Sequence, residues 1–172
     1  MWAPIVLWMA QKAGDRMEVS IYSREAVTKL LKDGTFPKNA AVVSFYDPPD
    51  GKWRSPGKVD YSSVDAEVIY VPARDIDPPV LEREGLSFDD YFREVDEVAS
   101  FILSAVRDGK SLICQCEYGQ SRSAACAAAI KQFFSGDGIE VFADYRYYPN
   151  QMIYHKVFDA LSKACDRNAR AL

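Results

Sequence analysis

The sequence predicts an α/β domain with a central, mainly parallel sheet flanked by helices. Two observations carry this expectation: segments of strand type alternate with segments of helical period, and no internal repeat interrupts the alternation. A third bounds it. With 172 residues, 48% of them hydrophobic and 13% aromatic, the chain has the size of one ordinary domain and enough apolar material to build its core without disulfides or a structural metal.

The elements follow in order. Residues 1–16 read as an N-terminal extension, because the regular pattern begins at Met17, and residues 17–172 as a single domain. Residues 18–22 read as a strand. Ser23 then serves as an N-cap with Glu25 in the first turn, and Ala26, Val27, Leu30 and Leu31 form the apolar face of a helix that Gly34 ends. Residues 40–46 are a continuous apolar run of strand length, residues 47–60 a loop rich in Pro, Gly and Lys, and residues 68–71 the next strand. Ser87 is expected to cap a long helix. Asp89 and Asp90 suit its positive end, and Phe88, Tyr91, Phe92, Val95, Val98, Ala99, Ile102, Leu103 and Val106 recur at helical spacing until Gly109. Residues 111–115 read as a short buried strand and residues 123–134 as a helix of small residues, followed by a turn at Asp137 and Gly138. Asn150, after Pro149, caps a final helix with Met152, Ile153, Val157, Phe158, Leu161 and Cys165 inward.

Composition excludes several functions. A formal charge of −4 argues against a nucleic-acid binder, whose footprint is basic. The longest apolar run, residues 1–10, is about half of the roughly 20 residues that span a bilayer, so no membrane helix is expected. It also lacks the basic start and cleavage site of a secretory signal, which makes the cytoplasm the expected location. Of four cysteines, Cys114, Cys116 and Cys126 fall within thirteen positions, a clustering that suggests reactivity before a disulfide framework. A metal site does not fit, since the single histidine, His155, is distant and no second close cysteine pair exists.

Ligands of parallel sheets bind beyond the C-terminal strand ends, which directs attention to the turn between Gln115 and Ser123. It reads Cys116-Glu117-Tyr118-Gly119-Gln120-Ser121-Arg122-Ser123, a cysteine leaving a strand and an arginine six positions later opening a helix. Five intervening residues let the backbone curl with its N–H groups inward, Gly119 relieves the strain, and the helix N-terminus adds its dipole. Glu117, Tyr118, Gly119, Gln120, Ser121 and Arg122 thus form a candidate phosphate cradle. Arg122 grips two oxygens at once, the positive field favours the Cys116 thiolate, and Ser123 donates a hydrogen bond to the sulfur. With the central Gly and the Ser after the Arg included, such a pattern arises by chance in about a few chains per thousand.

These residues resemble the cysteine-dependent protein tyrosine phosphatase superfamily, in particular compact dual-specificity-like phosphatases of bacterial and phage origin. The resemblance covers roughly residues 65–165: Arg74-Asp75-Ile76-Asp77-Pro78, the amphipathic helix, residues 116–129, and Tyr147-Tyr148-Pro149-Asn150 occur in that family's order. The family usually has histidine before the nucleophile, where this chain has Gln115. The resemblance implies a phosphatase-like fold and a phosphomonoester hydrolase of phosphoproteins, acting on phosphotyrosine and extending to phosphoserine and phosphothreonine. It implies a cysteinyl-phosphate intermediate and no cofactor or metal. Its general acid is an aspartate upstream: Asp75 matches the closest bacterial pattern, whereas ungapped counting from Tyr70 favours Asp77, and both also fit a turn ahead of Pro78-Pro79. The partner implied is a phosphorylated protein or peptide, with neither nucleic acid nor membrane, and the oligomeric state is open.

Other readings stay beside this one. A catalytically weak pseudophosphatase that binds phosphopeptides uses the same cradle, as do sulfurtransferases and arsenate reductases. Tyr145, Arg146, Tyr147 and Tyr148 either line the cleft or pack ahead of the last helix, His155 is read as structural, and Cys126 as packing. Cys114 or Cys126 is the candidate resolving thiol.

Overall fold

A computed structural model describes residues 17–49, 51 and 54–170, so the extension expected at residues 1–16 lies outside the described residues. The elements run β1 (Val19–Ser23), α1 (Arg24–Lys32), β2 (Ala40–Phe45), β3 (Ala66–Val71), α2 (Pro78–Arg83), α3 (Val95–Arg107), β4 (Ser111–Cys116), α4 (Arg122–Ser135), α5 (Ile139–Ala143) and α6 (Gln151–Arg170). The sheet has four strands in the order β1-β4-β2-β3, and every pair is parallel. All C-terminal strand ends therefore meet at one edge, with Cys116 beside Ser23 and Gln115 beside Ser44.

The two faces of the sheet are covered differently. Leu112, Cys114 and Cys116 of β4 pack with Val43 and Phe45 of β2 against α3, α4 and α6, where Val98, Ile102, Ile130, Ile153 and Leu161 are buried. On the other face Ile113 and Val42 pack with Val27 of α1 and with Phe36, Val59 and Tyr61 of the connecting segments. The period-2 alternation along β4 therefore sends the cysteines to one face and Gln115 to the other. Small residues 124–129 of α4 are all buried, so the helix after the Cys116 turn sits close against its surroundings. No helix among the described residues is long and apolar enough to cross a membrane.

The structure departs from the local expectations in four places. The helix expected from Ser87 begins only at Val95. Ser87 does receive the Asp90 N–H at 3.2 Å, but Phe92 has φ of 53°, which ends the turn. Tyr91 and Phe92 are nevertheless buried, Phe92 edge-on to Phe45 at 5.9 Å, so helical spacing reported burial correctly and backbone wrongly. Asp77-Pro78-Pro79 is more than a turn: the Asp77 carboxylate accepts the Val80 N–H at 3.2 Å and the prolines occupy the first turn of α2. The short α5 after Gly138 was not expected, and β3 starts two residues early because Ala66 pairs with Ala40.

Asp77→Ala is expected to lower stability by about 1 kcal/mol, the usual worth of an N-cap. The urea midpoint should fall without a change in slope.

Candidate active site

Cys116 is the last residue of β4 and Arg122 the first of α4, so the intervening turn is fixed between two rigid elements. The Cys116 side chain is buried, its residue 2% exposed. Its Sγ accepts the Gly119 N–H at 3.3 Å and lies 3.0 Å from the Ser123 Oγ. Gly119 has φ of 67°, and a β-carbon there would fall 2.6 Å from the Ser23 nitrogen and 2.9 Å from the Tyr22 carbonyl carbon. Both the backbone angle and the contact with β1 demand glycine.

The turn is held from outside through its carbonyls. Those of Glu117, Gln120 and Ser121 accept the N–H groups of Arg24 (3.1 Å), Tyr148 (2.9 Å) and Asn150 (3.3 Å). In a trans peptide the next N–H points the opposite way, and no peptide bond here is cis, so the N–H groups of Tyr118, Ser121 and Arg122 turn toward the concave side. The Glu117 carboxylate is directed away to Arg24 at 2.7 Å, and the Tyr118 ring is 77% exposed. The cradle is therefore backbone and Arg122, with the side chains of Glu117 and Tyr118 outside it.

Arg122 is almost fully buried, its side chain 4% exposed. Its Nη1 donates to the Asp47 Oδ1 at 3.0 Å and to the Ala73 carbonyl at 2.9 Å, and its Nη2 to the Asp47 Oδ2 at 3.2 Å. Its Nε is buried and has no partner among the described residues. An orphaned, charge-assisted donor of this kind is costly, and an anion oxygen is the partner that satisfies it. Asp47 escaped the sequence reading because it opens a stretch read as loop. The one signal for it was its position just past the C-terminal end of β2, on the ligand-binding edge.

The segment 73–77 is gripped carbonyl by carbonyl. Arg122 holds Ala73, the Tyr91 hydroxyl holds Arg74 at 2.7 Å, and the Asn150 amide holds Ile76 at 2.9 Å. This separates the two candidate acids. The Asp75 Oδ1 accepts the Ser121 hydroxyl at 2.8 Å and the Asn150 Nδ2 at 3.0 Å, on the rim of the turn, whereas Asp77 is turned to α2 as its cap. Asn150 also caps α6 as expected, its Oδ1 accepting the Ile153 N–H at 3.1 Å.

Beneath the turn Gln115 is fully buried, and both ends of its amide are engaged. Its Nε2 donates to the Cys116 carbonyl at 2.8 Å, while its Oε1 accepts from Ser44 at 2.6 Å and Tyr61 at 3.2 Å. Burial holds the Tyr61 phenol well above its usual value, so it stays a neutral donor. The remaining sequence candidates lie apart from these contacts. The neighbouring Cys126 and burial push the Cys114 thiol up, and all four cysteines are free. His155 is exposed beside Tyr154, Tyr147 packs against α4 and α5, and Arg146 pairs with Asp144 at 2.5 Å.

The sequence matches no family model and no curated protein. The structure does find relatives. A human dual-specificity phosphatase, DUSP28, superposes with a TM-score of 0.50 at 15% identity over 88% of this chain and 96% of its own. A mouse putative dual specificity phosphatase, solved as a complex with zinc tungstate, gives 0.51 at 17% identity over 87% of this chain and 86% of its own. With an all-parallel four-stranded sheet, flanking helices and a Cys-to-Arg turn at its C-terminal edge, the chain has the fold of the cysteine-dependent protein tyrosine phosphatase superfamily, in the form seen in dual-specificity phosphatases.

Proposed function

We propose that this chain is a metal-independent phosphomonoester hydrolase of phosphoproteins, with phosphotyrosine as substrate and phosphoserine and phosphothreonine admitted. The observation that carries this reading is the Cys116 sulfur, held by the Gly119 N–H and beside the Ser123 hydroxyl, in a turn closed by Arg122 with its buried Nε unpartnered. The sulfur attacks phosphorus as the bond to the leaving oxygen breaks, and Asp75 gives that oxygen its proton. Arg122 and the inward N–H groups hold the equatorial oxygens where charge is spread in the transition state. Water then attacks the cysteinyl-phosphate, Asp75 takes the proton, the S–P bond breaks, and the Ser123 hydroxyl stabilises the departing thiolate. Every group in this sequence belongs to the chain, so no metal is needed. A cytoplasmic phosphoprotein is the expected partner.

A second reading, phosphopeptide binding without turnover, has one observation in its favour: Asp47 already engages both terminal nitrogens of Arg122. Turnover of para-nitrophenyl phosphate with and without EDTA decides between them. Steady release of phenolate, unchanged by chelator, supports the enzyme; stoichiometric binding without release supports the binding module.

Cys116→Ser is expected to abolish turnover while keeping phosphate-ester binding, and residual hydrolysis near the native rate would exclude covalent catalysis through Cys116. Arg122→Lys should lose at least about 100-fold in kcat, because one ammonium cannot both hold Asp47 and the Ala73 carbonyl and offer the further donor that Nε supplies.

The acid is located by leaving group. Asp75→Asn should slow alkyl phosphates far more than aryl phosphates, since poor leaving oxygens need the proton most. Asp77→Asn should show little differential; the reverse pattern moves the role to Asp77.

A further inference from the structure

Two grooves flank the catalytic turn, and they differ in chemistry. The one against α1 is internally neutralised, with Arg24 paired to Glu117 and Lys29 to Asp33, and offers no net preference. The other, of about 650 Å³, runs from the Ser121–Asp75 contact between the acid-bearing segment and the start of α6. Its walls mix apolar side chains, among them Ile76, Val80 and Met152, with the polar Ser121, Asn150 and Gln151. Its charged lining is Asp75 and Asp77, and no lysine or arginine lines it among the described residues.

Tyr148 gives the groove its outer wall. Its ring is 72% exposed, yet its N–H is fixed on the Gln120 carbonyl at 2.9 Å, inside the catalytic turn itself. An exposed aromatic tied to the turn by its own backbone serves no core packing. An exposed tyrosine beside the groove suits an aliphatic side chain or the approach of a cation.

We propose that this groove takes the residues next to the phosphorylated side chain of a peptide substrate and selects an apolar residue accompanied by a basic one. The apolar side chains of the lining favour the first, and Asp77 together with the exposed Tyr148 favours the second. Acidic neighbours meet like charge with no cation to offset it, so the same groove rejects them. The inference rests on the phosphatase reading for the position of the phosphate, and it adds which phosphoproteins are accepted.

The test uses phosphotyrosine peptides carrying Leu-Lys or Glu-Glu beside the phosphoresidue, on either side, with para-nitrophenyl phosphate as a substrate too small to reach the groove. On at least one side, the native protein should prefer the Leu-Lys peptide in kcat/KM by about fivefold or more, the worth of one or two exposed charge contacts plus an apolar contact. Gln151→Lys, at an exposed position that lines the groove and touches no group of the turn, should shrink that preference to about twofold through KM, with para-nitrophenyl phosphate unchanged. Equal kcat/KM for the two peptides on both sides, or a preference that this variant leaves intact, overturns the groove assignment. Absence of any turnover overturns the phosphatase reading instead. The peptides' dissociation constants on Cys116→Ser protein then decide the groove by themselves, the same ranking supporting it and equal affinities overturning it.

Discussion

The buried guanidinium of Arg122 is the constraint around which the site is organised. A permanent charge at the first residue of α4, almost without solvent, requires partners, and the fold supplies them from two distant segments: the Asp47 carboxylate past β2 and the Ala73 carbonyl past β3. Because the sheet is parallel, these segments end at the same edge as β4, and the one side chain bridges them to the Cys116 turn. These bonds leave the buried Nε without a partner among the described residues, a donor that an anion oxygen would satisfy. The terminal nitrogens of the same side chain tie the edge together.

The rest of the site is held by the same logic of outward ties. Carbonyls of the catalytic turn and of segment 73–77 are each taken by a donor from a neighbouring element, Arg24, Tyr148 and Asn150 for the first, Arg122, Tyr91 and Asn150 for the second. Asn150 belongs to both sets, so the start of α6 ties the Cys116 turn to the segment that carries Asp75. Below, Gln115 fills the position with an amide whose acceptor takes two hydroxyl donors and whose donor steadies the Cys116 carbonyl. A neutral imidazole offers one acceptor, so Ser44 and Tyr61 suit the amide better than they would a histidine.

Much of this was legible in the sequence, and the reasons for the remainder are physical. Cys116, Gly119, Arg122 and Ser123 are neighbours along the chain, so local spacing was enough to assemble them, and the strand before and helix after them followed from periodicity and small residues. Asp47 was not legible because its partner lies 75 positions away and nothing in the run Asp47-Pro48-Pro49 distinguishes it from a turn. The different placements of Asp75 and Asp77 were not legible, since residues two apart in an extended segment share a face and only the turn into α2 takes Asp77 to its cap while Asp75 meets Ser121. The helix expected at Ser87 failed for the complementary reason. Spacing records which residues are buried, and the left-handed Phe92 keeps them buried while ending the helix before it begins.

The central claim is that phosphorus passes through the Cys116 sulfur. Rapid acid quenching during turnover of para-nitrophenyl phosphate, followed by peptide mass analysis, tests it most directly. The account predicts one phosphoryl group on the peptide containing Cys116, accumulating further in Asp75→Asn because that variant has lost the base for hydrolysis. Phenolate release at the native rate with that peptide unmodified in both proteins would contradict it.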